Sequence, residues 1–259
     1  MSEVKVNKVS PRSGTTVTIG DSGDTVNVVG TLQNNGGALP GVTFKEGGTD
    51  FNSSLLVGSS STGTLNAASR NTGVGTQVFG ALTSGDNNTA IGYLSLVSNT
   101  SAANNTAVGC CALATTTTGA RNTAVGSSAL EKNAAACNTA MGFAALQNTT
   151  SGYHNTGIGV FSGVTNTTGH DNTSLGLCSL HANTTGDHNV AIGVCALDSN
   201  TTAGCNVAVG RIALTTNTTG ANNTAIGASA LQQNTTASSN VAVGKSTLAD
   251  NTTGANNTA

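Results

Sequence analysis

The sequence has no Trp, two Pro, two Tyr and five Phe, and 8% of its 259 residues are charged, against about 25% in ordinary globular domains. Each scarcity removes a class of protein. With so few large side chains, a conventional core of interlocked aromatic and aliphatic groups cannot be assembled. Disordered chains are rich in charge and proline, and this chain is poor in both. Nine Lys and Arg against eleven Asp and Glu give a net charge of −2, so the basic footprint that nucleic acid requires is missing. No apolar run approaches the roughly 18–20 residues of a membrane span, and no membrane insertion is expected. The opening MSEVKVNKVS lacks an apolar stretch, so no secretory signal is expected either.

What the chain does contain is Thr (43), Gly (34) and Asn (31), together 108 residues. They are arranged in a repeat. A pentad of the form N-T-A-V-G ends at Gly58, Gly75, Gly92, Gly109, Gly126, Gly142, Gly159, Gly176, Gly193, Gly210, Gly227 and Gly244, always 17 residues apart except for one step of 16 between Gly126 and Gly142. The consensus is N-T-A-[VI]-G-x-x-A-L-x-x-N-T-T-G-x-x, with positions numbered 1 to 17 from the first Asn. Helical-hairpin repeats need about 33 residues or more, and a coiled coil does not tolerate Gly in every repeat. Two short strands per coil, at positions 1–4 and 6–9, fit the alternation, with the glycine at position 5 and the N-T-T-G segment as bends. The fold class expected is all-β, a parallel β-solenoid or β-roll of 17-residue coils. At about 4.8 Å per coil, twelve coils span roughly 58 Å.

Column by column, the expected core is position 4, including Val108, Val125, Ile192 and Ile226, with position 9, including Leu113, Leu130, Leu214 and Leu231. Position 1 is Asn in eleven of twelve coils, which predicts an amide ladder through Asn105, Asn122, Asn189 and Asn223. If position 4 points inward, positions 3 and 8 point outward. These columns are almost wholly Ala, Gly, Ser or Thr, which suits close approach of another copy. Ala124, Ala191, Ala225, Ala129 and Ala196 are therefore expected at a homotrimer interface. The alternative reading has the small residues inside a narrow coil. Val160–Val164 breaks the Leu column, so a local shift of that coil is expected.

Residues 1–50 hold both prolines and nine of the twenty charges. Strands are expected at Thr15–Gly20 and Thr25–Gly30, in a separate capping or attachment module with a Gly-rich transition, and the shaft at 51–259. Because the chain stops three residues into a thirteenth coil and solenoids need caps, continuation past Ala259 is expected.

Chemistry is sparse. Cys178 and Cys195 share position 7 in adjacent coils, where a disulfide is geometrically conceivable; the bland alternative is that all six cysteines are small apolar fillers. His154, His170, His181 and His188 occupy turn positions 17, 16, 10 and 17 and read as solvated. No metal site, cofactor or catalytic group is expected, since no nucleophile, base and orienting group are brought together by position. The Asn-x-Thr triplets read as turns rather than glycan sites.

The pentad followed by A-L resembles the left-handed parallel β-roll heads of trimeric autotransporter adhesins, which implies three copies about a common axis. The opening Val4-Lys5-Val6-Asn7-Lys8-Val9-Ser10-Pro11-Arg12-Ser13-Gly14, continuing to Gly23, resembles the N-terminal segment of tail-fibre-like proteins of marine tailed bacteriophages. That resemblance implies a virion protein, assembled in the host cytoplasm. Residues 1–50 would attach to a tail, baseplate or collar protein, the repeats would form the shaft, and a tip beyond this chain would meet a host surface receptor. The alternatives are a bacterial cell-surface trimeric adhesin and, third, an ice-binding solenoid. None of the three is an enzyme.

Overall fold

The structure, a computed structural model, describes residues 33–34, 37–38, 51–58 and 62–259. The strands expected at Thr15–Gly20 and Thr25–Gly30, and most of the expected attachment module, lie outside these residues. The chain divides into two units, Met1–Pro40 and Gly41–Ala259. In the first, β1 (Gln33–Asn34) and β2 (Gly37–Ala38) pair antiparallel. In the second, β3 (Phe51–Asn52) pairs in parallel with β5 (Ala68–Ser69).

The remaining strands build one twelve-stranded parallel sheet in chain order: β4 (Leu55–Val57), β6 (Thr72–Val74), β7 (Thr89–Ile91), β8 (Thr106–Val108), β9 (Thr123–Val125), β10 (Thr139–Met141), β11 (Thr156–Ile158), β12 (Thr173–Leu175), β13 (Val190–Ile192), β14 (Val207–Val209), β15 (Thr224–Ile226) and β16 (Val241–Val243). The chain is an all-β parallel β-solenoid. Each coil gives one three-residue strand at positions 2–4, and pairing is in register, as in Thr106↔Thr123, Ala107↔Ala124 and Val108↔Val125. The single 16-residue coil keeps that register, with Thr139↔Thr123, because its deleted residue comes out of the turn after Asn133. Among the described residues no helix is long and apolar enough to cross a membrane.

Among the described residues the second strand expected per coil is absent. Positions 6 to 11 form turns, with left-handed backbone at position 7 (Cys111, φ 58°; Ser128, φ 57°) and again at position 9 (Leu113, φ 51°; Leu130, φ 50°). A strand sends neighbours to opposite faces, whereas this turn points both the Ala of position 8 and the Leu of position 9 inward. Left-handed backbone costs a residue such as Leu about 1–2 kcal/mol, and full burial of its side chain contributes about 1.5–3 kcal/mol. Burial wins. Leu113, Leu130, Leu214 and Leu231 are fully buried.

The strand column is the reverse of the one expected. Ala107, Ala124, Ala191 and Ala225 at position 3 are fully buried, as are Ala129 and Ala196 at position 8. Val108, Val125 and Ile192 are only half-buried and Ile226 is exposed. Ala124, Ala191, Ala225, Ala129 and Ala196 are therefore core and have no surface to offer a second copy, while Val108, Val125, Ile192 and Ile226 stand on the outer face. Space decides this. A Cβ added at Gly157, which occupies position 3, would already lie 2.7 Å from Cγ of Leu146 in the preceding coil, so there is little room at position 3 where Leu fills position 9. The larger Leu56 is buried at this position in the first coil, where position 9 is Thr62.

Two polar columns complete the interior. Asn105, Asn122, Asn189 and Asn223 are buried, and each position-1 Oδ1 accepts the backbone N–H of the next coil's Asn: Asn122 donates to Asn105 at 2.9 Å and Asn206 to Asn189 at 3.1 Å. From Asn71 to Asn223 the Nδ2 groups donate across their own coil to a carbonyl of its closing turn, as Asn189 does to Ala203 at 2.9 Å, while Asn240 Nδ2 donates to Asn223 Oδ1. A second ladder runs through position 12, where Asn183, Asn200, Asn217 and Asn234 donate from Nδ2 to the preceding Oδ1 at 2.9–3.0 Å. Beside it, position-13 hydroxyls donate to the next coil's position-13 carbonyl, as Thr184 does to Thr201 at 3.1 Å. Thr149, which replaces Asn at position 12, has the one buried side-chain N or O atom without a hydrogen-bond partner among the described residues.

The coil at 155–171 is not shifted. Thr156, Gly157 and Ile158 pair in register with Thr173, Ser174 and Leu175, and Gly163 keeps the left-handed φ of 57° used elsewhere by Leu. What changes is the filling. The Ser162 hydroxyl donates to Ser174 Oγ at 2.7 Å and lies 3.1 Å from Ser179 Oγ. This buried hydroxyl cluster separates the Leu stack ending at Leu146 from the one beginning at Leu180.

Candidate functional site

Two surface features are built by the coil geometry. The first is an apolar band. Because position 3 points inward, positions 2 and 4 point outward, and the glycine of position 5 then carries the chain into position 6 on the same outer side of the turn. Ile91, Met141, Leu175 and Ile226 at position 4 are 40–47% exposed, and Tyr93, Phe143, Val160, Leu177 and Val194 at position 6 are 40–51% exposed. Phe143 and Phe161 meet edge to face with ring centres 5.3 Å apart. From Ile91 to Val194 no charged residue interrupts positions 2, 4 or 6. Solvated surfaces carry isolated apolar residues; here they recur coil after coil in two columns, with Cys110 and Ser127 between Tyr93 and Phe143 at position 6.

The second feature arises from the last position of the coil, which is left-handed throughout (His154, φ 56°; Asp171, φ 56°; His188, φ 57°). Asn, Asp and His adopt this backbone most readily among residues with side chains, and seven of the twelve residues in the column are of these types. The preference gathers imidazoles and carboxylates in consecutive coils. His170 Nδ1 lies 2.8 Å from Asp171 Oδ2, His154 Nδ1 3.2 Å from Asp171 Oδ1, and His170 Nε2 3.3 Å from Asp187 Oδ2. Tyr153 stacks on the His170 ring at 4.8 Å with the planes 8° apart. The hydrogen bond to His170, the largest effect, holds the Asp171 carboxyl below its usual range; desolvation opposes it, and the hydrogen bond and charge of His154 add to it. Comparison of the chain with protein-family models, with curated proteins and with solved structures finds no match. The site is thus read from its own geometry.

The sequence places these histidines singly in turns. The structure brings His154, His170 and His188 around one carboxylate, because positions 16 and 17 of neighbouring coils share a surface. His181 stands apart from this cluster in the position-10 column, where Asp198 is its counterpart in the next coil.

All six cysteines are free. Burial first, then the hydrogen bond and charge of Cys110 and the charge of Glu131, push the Cys111 thiol up to about 11. Burial likewise raises Cys178 and Cys195. The thiolate is the reacting species, so at pH 8 alkylation of Cys111, Cys178 and Cys195 by iodoacetamide lags behind that of the exposed Cys205. Peptide mass spectrometry over time measures this, and equal rates would contradict it.

Proposed function

We propose that the chain is a structural segment of a viral appendage, the shaft of a tail fibre serving host attachment, in which three copies pack along their apolar bands. The observation that carries the reading is the uncharged band running from Ile91 to Val194 on a solenoid. Its period is the strand spacing of about 4.8 Å. A partner must repeat at the same spacing over many coils to cover it, and a second copy in register does so. Closed cyclic association about the fibre axis satisfies every copy alike, and the resemblance to autotransporter β-rolls implies three. Residues 1–50, with their phage-like opening, are the proposed attachment to the virion. Regular stacking and an interior filled by ladders suit a mechanical rather than a catalytic role.

The test is the mass in solution. By light scattering the chain should give three times its 25.2 kDa mass. Ile91→Glu, Met141→Glu and Leu175→Glu together, all exposed within the band, should give a folded monomer with an unchanged far-ultraviolet spectrum. An unchanged trimer would reject the band as the interface. Antibody labelling of purified virions then separates the viral reading from a bacterial surface adhesin of the same architecture, which would label on cells instead. For the ice-binding reading, position 2 does present Thr outward in eight coils. Column 4 beside it varies from Val to Met and Leu, and that uneven surface lacks the regular lattice such a face requires.

A further inference from the structure

The imidazole–carboxylate cluster at positions 16 and 17 has the composition of a metal site. We propose that His170, Asp171 and His188 bind a late first-row divalent ion, with zinc as the representative, on the outside of the solenoid. The candidate ligand atoms of these three residues lie within 4.8 Å of one another. Zinc bonds of about 2.0–2.2 Å in a tetrahedron place ligand atoms roughly 3.3–3.5 Å apart. The observed separations bracket that value: Asp171 Oδ2 is 2.8 Å from His170 Nδ1 and 4.0 Å from His188 Nδ1. Small χ changes in the exposed Asp171 and His188 side chains would close the difference.

The surroundings support the ligands as metal sites require. Asp187 Oδ2, 3.3 Å from His170 Nε2, engages the ring nitrogen that a metal on Nδ1 leaves free, fixing the tautomer and making the ligand more basic. Tyr153 stacks on the same ring and limits its rotation. His154, at 3.2 Å from Asp171 Oδ1, orients the carboxylate. Two imidazoles and one carboxylate suit zinc, copper or nickel; they do not suit magnesium or calcium, which take oxygen ligands. With the side chains of Asp171 and His188 37% and 57% exposed, a fourth position faces outward. It would take water or a group from another molecule.

Calorimetric titration of the full chain with zinc chloride is expected to show one ion per chain. His170→Ala and His188→Ala should each abolish that binding, Asp187→Asn should weaken it by about tenfold or more, and His181→Ala should leave it unchanged. Circular dichroism checks that each variant keeps the fold. Cobalt(II) serves as the spectroscopic probe, because cysteine ligation would produce an intense thiolate charge-transfer band and the proposed ligands would not. Unchanged binding by the His170 and His188 variants, a thiolate band with cobalt, or no binding by the native chain would each overturn the assignment.

Discussion

Gly109→Ala is expected to open the solenoid at that coil. Gly109 has a φ of 139°, and a Cβ there would lie 2.4 Å from the carbonyl oxygen of Gly126 in the next coil. Backbone of this kind is essentially restricted to Gly, and forcing another residue into it costs about 1–3 kcal/mol before any clash is counted. The clash is with main chain and has no flexible end to yield. Gly220→Ala is the informative control. There too an added Cβ falls close to a carbonyl, 2.2 Å from Ala237 O, but φ is not left-handed, and Ala already stands in this column at 102, 203 and 237. The fold therefore accommodates Cβ at position 15, while position 5 is Gly in all twelve coils. Since coils are stabilised by their neighbours, the urea midpoint of Gly109→Ala should fall clearly. Amide exchange should accelerate first in the coils around 92–126. A midpoint equal to that of Gly220→Ala would show that the backbone angle is not the constraint.

The coil length and the parallel stacking were legible from the glycine spacing, because the only structure that repeats every 17 residues with Gly and Asn bends is a short β-coil. The orientation of the strand was legible too, but from a different column than the obvious one. If the Asn at position 1 forms an interior ladder, strict alternation puts position 3 inside and position 4 outside. An interior Asn at position 1 and an interior Val at position 4 are incompatible on one continuous strand. The rule that apolar residues lie inside runs one way only. Here the width of the coil, seen at Gly157 against Leu146, ranked size above hydropathy. The left-handed Leu at position 9 was not legible, since propensity argues against it and only burial offsets the cost. The second ladder was signalled by Asn at position 12 in eight coils, a regularity that turn chemistry explains equally well. The imidazole–carboxylate cluster was hidden because its members come from two adjacent columns. Only the three-dimensional surface shows that positions 16 and 17 of successive coils interleave.

The interior ladder makes the second large prediction. Asn189 holds three coils together: its backbone N–H donates to Asn172 Oδ1 at 2.9 Å, its Oδ1 accepts from Asn206 N–H, and its Nδ2 donates to Ala203 O. The Ala203 carbonyl also accepts from Asn200 Nδ2 at 2.9 Å, so it keeps one partner when Asn189 is lost. The Asn206 N–H does not. Asn189→Ala thus strands one buried donor and removes one further hydrogen bond, a loss of roughly 2–4 kcal/mol. Asn189→Asp separates the two functions of the amide. The ionised carboxylate still accepts from Asn206 but cannot donate to Ala203, and it places a charge in a dry column, which is more costly than a lost hydrogen bond. Protonation restores a donor and removes the charge. The folded state of this variant therefore binds the proton more tightly than the unfolded chain does, and the carboxyl pKa is raised on folding. Its stability should be highest below the unfolded value of about 3.9 and fall as pH rises toward the folded one. Urea denaturation of native chain, Asn189→Ala and Asn189→Asp across the acid range measures the effect. The Asp variant should approach the native midpoint in acid and drop below the Ala variant at neutral pH. If the difference between native and Asp variants were the same at every pH, the side chain at 189 would not be buried in a ladder.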